Sequence, residues 1–183
     1  STELGARTVA IQGLGSVGGY LAGYLKDEGA RIVGCDIDRD AIAQAQALGV
    51  EIVPPEAIYD VECDIFAPCA LGAILNDETL PRLKAKAVAG GANNQLADAA
   101  RHGAEIDARG ILYAPDFIAN VGGLISVYAE LRRLPTARVE ALVEGIGAGV
   151  QKAGSDYRSA GLFLHGSTIA INTIIERTGA RTA

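Results

Sequence analysis

The chain has 183 residues, which fits one domain with a substantial core. Its formal net charge is −6 and no Lys/Arg cluster stands out, which argues against nucleic acid as a partner. The longest apolar run, Ile65–Leu75, is interrupted by Pro68 and Gly72 and falls well short of the roughly 20 residues of a membrane span.

Hydrophobic residues make up 49% and aromatics 5%, without Trp or Met, so the core must be built from Ala, Val, Ile and Leu. Such a core suits helices packed on a parallel sheet. In chain order, β-rich runs fall at Thr8–Gln12, Arg31–Asp36, Glu51–Val53, Asp64–Ala67, Ala87–Ala89 and Ile111–Ala114. Between them lie helix-patterned stretches at Val17–Glu28, Arg39–Leu48, Asp77–Lys84 and Gln95–His102. Gly29 and Gly49 stand where C-terminal glycine caps belong, and Asp38 stands where the second helix needs an N-cap. After Tyr113 the pattern is helical only: Leu124–Leu134, a break at Pro135, then Arg138–Lys152 and Gly166–Arg177.

Strands alternating with helices predict right-handed βαβ crossovers. The expected fold is α/β: a three-layer Rossmann fold with a doubly wound, mostly parallel, six-stranded sheet and C-terminal helices. One dinucleotide-binding domain is expected over residues 1–183, with 135–183 as an appended helical tail.

The chemistry-bearing signal is Gly13-Leu14-Gly15-Ser16-Val17-Gly18, a GxGxxG between the first strand and the first helix. The first glycine permits the tight turn, the second lets backbone approach a pyrophosphate, and the third packs helix on strand. The helix N-terminus adds free N–H groups and partial positive charge. Asp36 ends the second strand about twenty residues after Gly15, where a carboxylate accepts from the adenosine ribose hydroxyls. That carboxylate would repel a 2′-phosphate, so NAD is expected over NADP; Arg39 is the neighbour that could receive such a phosphate.

Cys35, Cys63 and Cys69 are odd in number and lie in strand-like text, which argues against a disulfide framework and for a reducing, cytoplasmic setting. His102 and His165 lack neighbours at ligand spacing, so no metal site is expected. Asp116, after Pro115, reads as a turn residue.

Three strings are more specific than a generic Rossmann pattern: Cys63-Asp64-Ile65-Phe66-Ala67-Pro68-Cys69-Ala70-Leu71-Gly72, Gly90-Gly91-Ala92-Asn93-Asn94-Gln95-Leu96, and Tyr113-Ala114-Pro115-Asp116-Phe117-Ile118-Ala119-Asn120-Val121-Gly122-Gly123. With the glycine turn, they give the chain from about Val9 to Leu131 a close resemblance to the glutamate/leucine/phenylalanine/valine dehydrogenase family. The resemblance implies an NAD-dependent, reversible oxidative deamination of an L-amino acid to its 2-oxo acid and ammonia. It implies that the stretch from Gly13 to Gly19 holds the diphosphate and that Cys69 and Ala70 lie along the cofactor. It puts Asn93 and Asn94 at the nicotinamide ribose and carboxamide, Asn120 at the substrate's α-amino and carboxylate end, and Leu124 and Val127 on the substrate side-chain pocket. Their apolar character favours an apolar substrate over glutamate; a branched-chain amino acid is expected, with the choice between branched-chain and aromatic left open.

Plainer readings exist for the same residues. Cys69 reads equally as core, Asn93 and Asn94 as a turn, and Leu124 and Val127 as packing on one helical face.

The resemblance implies that the catalytic lysines and their partner aspartate come from an N-terminal domain, which is expected to lie outside these 183 residues. Lys26, Lys84, Lys86 and Lys152 sit in polar text, so no catalytic residue is assigned, and the chain alone is expected to bind NAD without turnover. The partners expected are therefore a dinucleotide, an amino acid and that N-terminal domain, with self-association into a homo-oligomer open. A stand-alone NAD-binding or redox-sensing module, or a scaffold domain without catalysis, reads from the same residues.

Overall fold

A computed structural model describes residues 3–142 and 145. Val9, Ala10 and Ile11 are each 0% exposed, which makes Thr8–Gln12 a strand covered on both faces and the hub of the sheet, β1. Beside it lie β2 (Arg31–Cys35) and β4 (Cys63–Pro68), with β3 (Glu51–Ile52), β5 (Ala85–Val88) and β6 (Leu112–Tyr113) further out. The order is β3-β2-β1-β4-β5-β6, and every pairing is parallel, so the sheet is parallel throughout rather than mostly so.

Side-chain alternation divides the core in two. Val9, Ile11, Ile65 and Ala67 point toward α1 (Ser16–Asp27) and α2 (Arg39–Ala47), meeting Leu21, Ala22, Leu25 and Ala45. Ala10, Val33, Phe66 and Val88 point the other way, toward Ile58 and Tyr59, Leu80, and Ile106 of α3 (Ala99–Ala108). Each fully buried Leu, Ile or Phe contributes about 1.5–3 kcal/mol by leaving water.

The expected caps are present. Asp38 accepts from the Asp40 and Ala41 N–H groups at the start of α2, and Gly29 and Gly49 take φ of 85° and 86° just past α1 and α2. Lys26, in the last turn of α1, donates to the Leu48 carbonyl and so fastens the two helices together.

Two expected helices differ. Asp77–Lys84 forms only a 3-10 turn at Leu80–Arg82, because the Asn76 carboxamide takes the N–H groups of Glu78 and Thr79 and Pro81 has none to give. Gln95–His102 is not a helix from its start. The helix begins at Ala99 behind an Asp98 cap that accepts from the Ala100 and Arg101 N–H groups, while Gln95 is buried in the loop before it. Further on come a four-residue helix, α4 (Asp116–Ala119), and then α5 (Val121–Arg132). A helical stretch over 136–142 packs Val139 against Ile125 and Ala129 of α5. The rest of the helix expected at Arg138–Lys152, and the one at Gly166–Arg177, lie outside the described residues.

Candidate functional site

The chain reverses its direction of winding between β1 and β4, so the loops that follow these two strands open a crevice at the carboxyl edge. The loop after β1 is the glycine turn. Gly13 takes φ 92°, and a Cβ there would stand 2.7 Å from the Ala70 Cβ, so the loop after β4 is its floor. Gly18 sits under the turn, where a Cβ would lie 1.8 Å from the Gly13 carbonyl oxygen. At Gly15 the opposite holds: a Cβ would meet nothing within 4 Å. Gly15 is the N-cap of α1 and has no side chain with which to cap it, so the N-terminus of α1 begins without a side-chain cap beside that open space. A cradle that one methyl group would begin to fill, lined by donors at a helix N-terminus, fits the diphosphate of a dinucleotide. Ser16 opens the helix, and Val17, 51% exposed, leans on Gly91 in the loop after β5.

Asp36 follows β2 directly and reaches back to this turn. Its Oδ2 accepts from the Leu14 N–H at 2.5 Å, and its Oδ1 accepts from Ile37 and Asp38 at 2.7 and 2.9 Å. Burial works to raise its pKa, but the N–H groups of Asp38, Leu14, Ile37 and Gly15 outweigh it and hold the carboxyl below the usual range. The side chain is thus ionised and oriented beside the glycine turn, on the β2 side of the crevice.

The other side is built by the loops after β4, β5 and β6. The Cys69 N–H donates to the Gln12 carbonyl at 2.7 Å, and burial pushes the Cys69 thiol up to about 11, the pKa of an unreactive neutral thiol. Ala70 follows as the floor under Gly13. The loops after β4 and β5 lie backbone to backbone, with Ala73 donating to the Asn94 carbonyl at 2.7 Å and Leu75 bridging to Leu96 in parallel. Asn93 and Asn120, far apart in sequence, meet here: the Asn120 Nδ2 donates to the Asn93 Oδ1 at 2.7 Å. Asn94 adopts φ 51° and donates its N–H to the Asp116 carboxylate. Val127 is 56% exposed on α5, beside Tyr128 and Leu131. Leu124 lies one turn earlier on the same helix.

Two contributors were not read from the sequence. Asp116 is the first residue of α4 and not merely part of a turn, and its role depends on a contact 22 residues away. Gln95, fully buried, donates from its Nε2 to the Gly90 and Ala92 carbonyls at 2.9 and 3.0 Å and shapes the loop that carries the two asparagines. A buried amide in loop text has no periodic signature by which to find it. Among the described residues, no group of three His, Cys, Asp or Glu side chains could hold a metal ion, and no helix is long and apolar enough to cross a membrane.

A 3-2-1-4-5-6 parallel sheet with an open glycine turn at the switch point and a carboxylate after β2 defines a Rossmann-type domain of the dehydrogenase class. The chain belongs to the glutamate/leucine/phenylalanine/valine dehydrogenase family, whose sequence profile matches residues 36–138. It is 51% identical over 145 residues to the leucine dehydrogenase of Thermoactinomyces intermedius, covering 79% of this chain and 39% of that one. The phenylalanine dehydrogenase of Lysinibacillus sphaericus is 49% identical over 137 residues, covering 72% and 36%. The crystal structure of L-tryptophan dehydrogenase from Nostoc punctiforme superimposes with a TM-score of 0.77 at 34% identity, over 94% of this chain and 53% of that one. The chain therefore spans about 40% of the length of the curated leucine dehydrogenases it matches.

Proposed function

We propose that this chain is the NAD-binding portion of an amino acid dehydrogenase acting on an apolar, branched-chain L-amino acid, and that it does not turn over substrate by itself. The observation that carries the reading is the pairing of the open Gly15 cradle with the ionised Asp36 carboxylate, 22 residues from Leu14 and bonded to it. When bound, NAD supplies the hydride acceptor for the substrate's α-carbon. The chain's own residues do the rest. The free N–H groups of α1 neutralise the diphosphate, Asp36 accepts from the adenosine ribose and repels a 2′-phosphate, and the linked Asn93 and Asn120 carboxamides orient the nicotinamide end and the substrate's polar end.

Inactivity alone is supported by where the lysines lie. Among the described residues, Lys26 is in the last turn of α1, Lys84 precedes β5, and Lys86 pairs with Asp64 at 2.8 Å. All three belong to the amino edge of the sheet, opposite the crevice, so none can serve as general base there. The apolar substrate is supported by Leu124 and Val127 on α5 and by the similarity to dehydrogenases named for leucine, phenylalanine and tryptophan.

Calorimetric titration of NAD and NADP into the chain, and into its Asp36→Ala variant, tests the cofactor assignment. NAD is expected to bind the unaltered chain more tightly than NADP, and the variant to lose at least tenfold in NAD affinity. NADP preference with Asp36 dispensable would overturn the assignment, and NAD-dependent oxidation of leucine by the chain alone would overturn the claim of inactivity.

A further inference from the structure

The Asn93–Asn94 turn is held from three directions. From below, the Gln95 amide pins the Gly90 and Ala92 carbonyls. From the β4 side, Gly72 comes so close that a Cβ there would stand 2.7 Å from the Asn93 carbonyl oxygen and 3.0 Å from that of Asn94. From the β6 side comes α4, a single helical turn in which the Asn120 N–H donates to the Asp116 carbonyl at 2.7 Å. This turn presents two prongs to the asparagine loop: the Asp116 carboxylate takes the Asn94 N–H, and the Asn120 carboxamide takes the Asn93 side chain.

The prongs differ in kind. The Asn120 contact joins two neutral amides, whereas the Asp116 contact is charge-assisted, a class roughly twice as strong. It also falls at a residue in the left-handed region, Asn94 at φ 51°, a conformation that a Cβ disfavours and that asparagine tolerates better than most residues. With its backbone in that conformation, Asn94 gives its N–H to the Asp116 carboxylate while the Asn93 side chain beside it meets Asn120. In the strand order, this loop lies on the opposite side of the switch point from Asp36, where the far half of a dinucleotide would extend.

We propose that Asp116 is a positioning residue for the nicotinamide–ribose half of the bound dinucleotide, acting through the Asn94 N–H to hold Asn93 and Asn94 in place. This rests on the reading of the crevice as a dinucleotide site. Asp116 is not a base or a substrate contact in this role; it makes a loop rigid before the ligand arrives, which lowers the ordering cost of binding.

The test compares NAD with ADP, which lacks the nicotinamide and its ribose, by calorimetric titration into the chain, Asp116→Ala and Asp116→Asn. Asp116→Ala is expected to weaken NAD by about tenfold and leave ADP unchanged. Asp116→Asn keeps an acceptor for the Asn94 N–H and is expected to return NAD affinity to within about threefold of the starting value. Equal weakening of NAD and ADP would mark a general structural defect, and unchanged NAD binding in Asp116→Ala would show that the contact does nothing; either overturns the proposal. A starting chain that binds neither ligand would overturn the dinucleotide reading itself, and this proposal with it.

Discussion

Gly15→Ala and Gly18→Ala add the same methyl group three residues apart in the glycine turn and should have opposite consequences. At Gly18 the new Cβ would lie 1.8 Å from the Gly13 carbonyl oxygen, and ordinary contact requires the atoms to part by more than an ångström. Gly13 cannot retreat, since its N–H is bonded to the Cys35 carbonyl at 2.9 Å and its own Cα faces Ala70. Overpacking against backbone of this kind costs about 3 kcal/mol, or roughly 6–12 °C in Tm for a chain of this size. At Gly15 the methyl meets no atom within 4 Å, and the loss is limited to a poorer N-cap, about 1 kcal/mol or less. Yet that methyl occupies the space in front of the first N–H groups of α1, and NAD affinity should fall by more than tenfold. Thermal unfolding followed by circular dichroism reads the first effect and calorimetric titration with NAD the second. A Gly15→Ala chain that binds NAD normally, or a Gly18→Ala chain that melts with the parent, would refute the reasoning.

Acid stability should depend on Asp36 and Asp64. The Asp64 carboxyl is held low by Lys86 first and then by the Thr8 N–H, whereas at Asp36 surrounding N–H groups overcome a burial effect of opposite sign. Because both folded values lie below the ordinary 3.8, the stabilisation is complete above that pH and disappears as pH falls through the folded values. Tm measured from pH 6 to pH 2.5 should therefore drop less steeply in Asp64→Asn, and an unchanged slope would contradict this. Asp64→Ala, which deprives the Thr8 N–H of its acceptor at 3.0 Å, should cost about 1–3 kcal/mol in a urea melt. Burial pushes Cys35, Cys63 and Cys69 to about 11, two units above the ordinary 9.0, so each holds about a hundredfold less thiolate near pH 8. Iodoacetamide should label them readily only after unfolding, and rapid labelling of the folded chain would show otherwise.

Much of the scaffold was legible because its causes are local. The strand at Thr8–Gln12, the glycine turn, the Asp38 cap and the glycines past α1 and α2 each depend on residues within a few positions of one another. The errors arose where a side chain competed with backbone, as Asn76 does ahead of the Leu80–Arg82 turn, or where a polar residue was buried, as Gln95 is before Asp98. The carboxylate after β2 was legible because the spacing from the glycine turn follows from one crossover. The Asp116–Asn94 contact was not, because it joins loops after two different strands and only the assembled sheet sets them side by side.

The closeness of Gly13 to Ala70 also bears on the order in which the molecule takes shape. A nascent polypeptide that has reached β3 already contains its entire glycine motif and the carboxylate at position 36, yet β1 still lacks the neighbour that will pair Val9 with Ile65. Only when β4 inserts beside β1 does the turn gain support from beneath. Ligand capture should therefore appear late in refolding, in step with closure of this long-range pairing and behind the earlier, more local β1–β2 crossover.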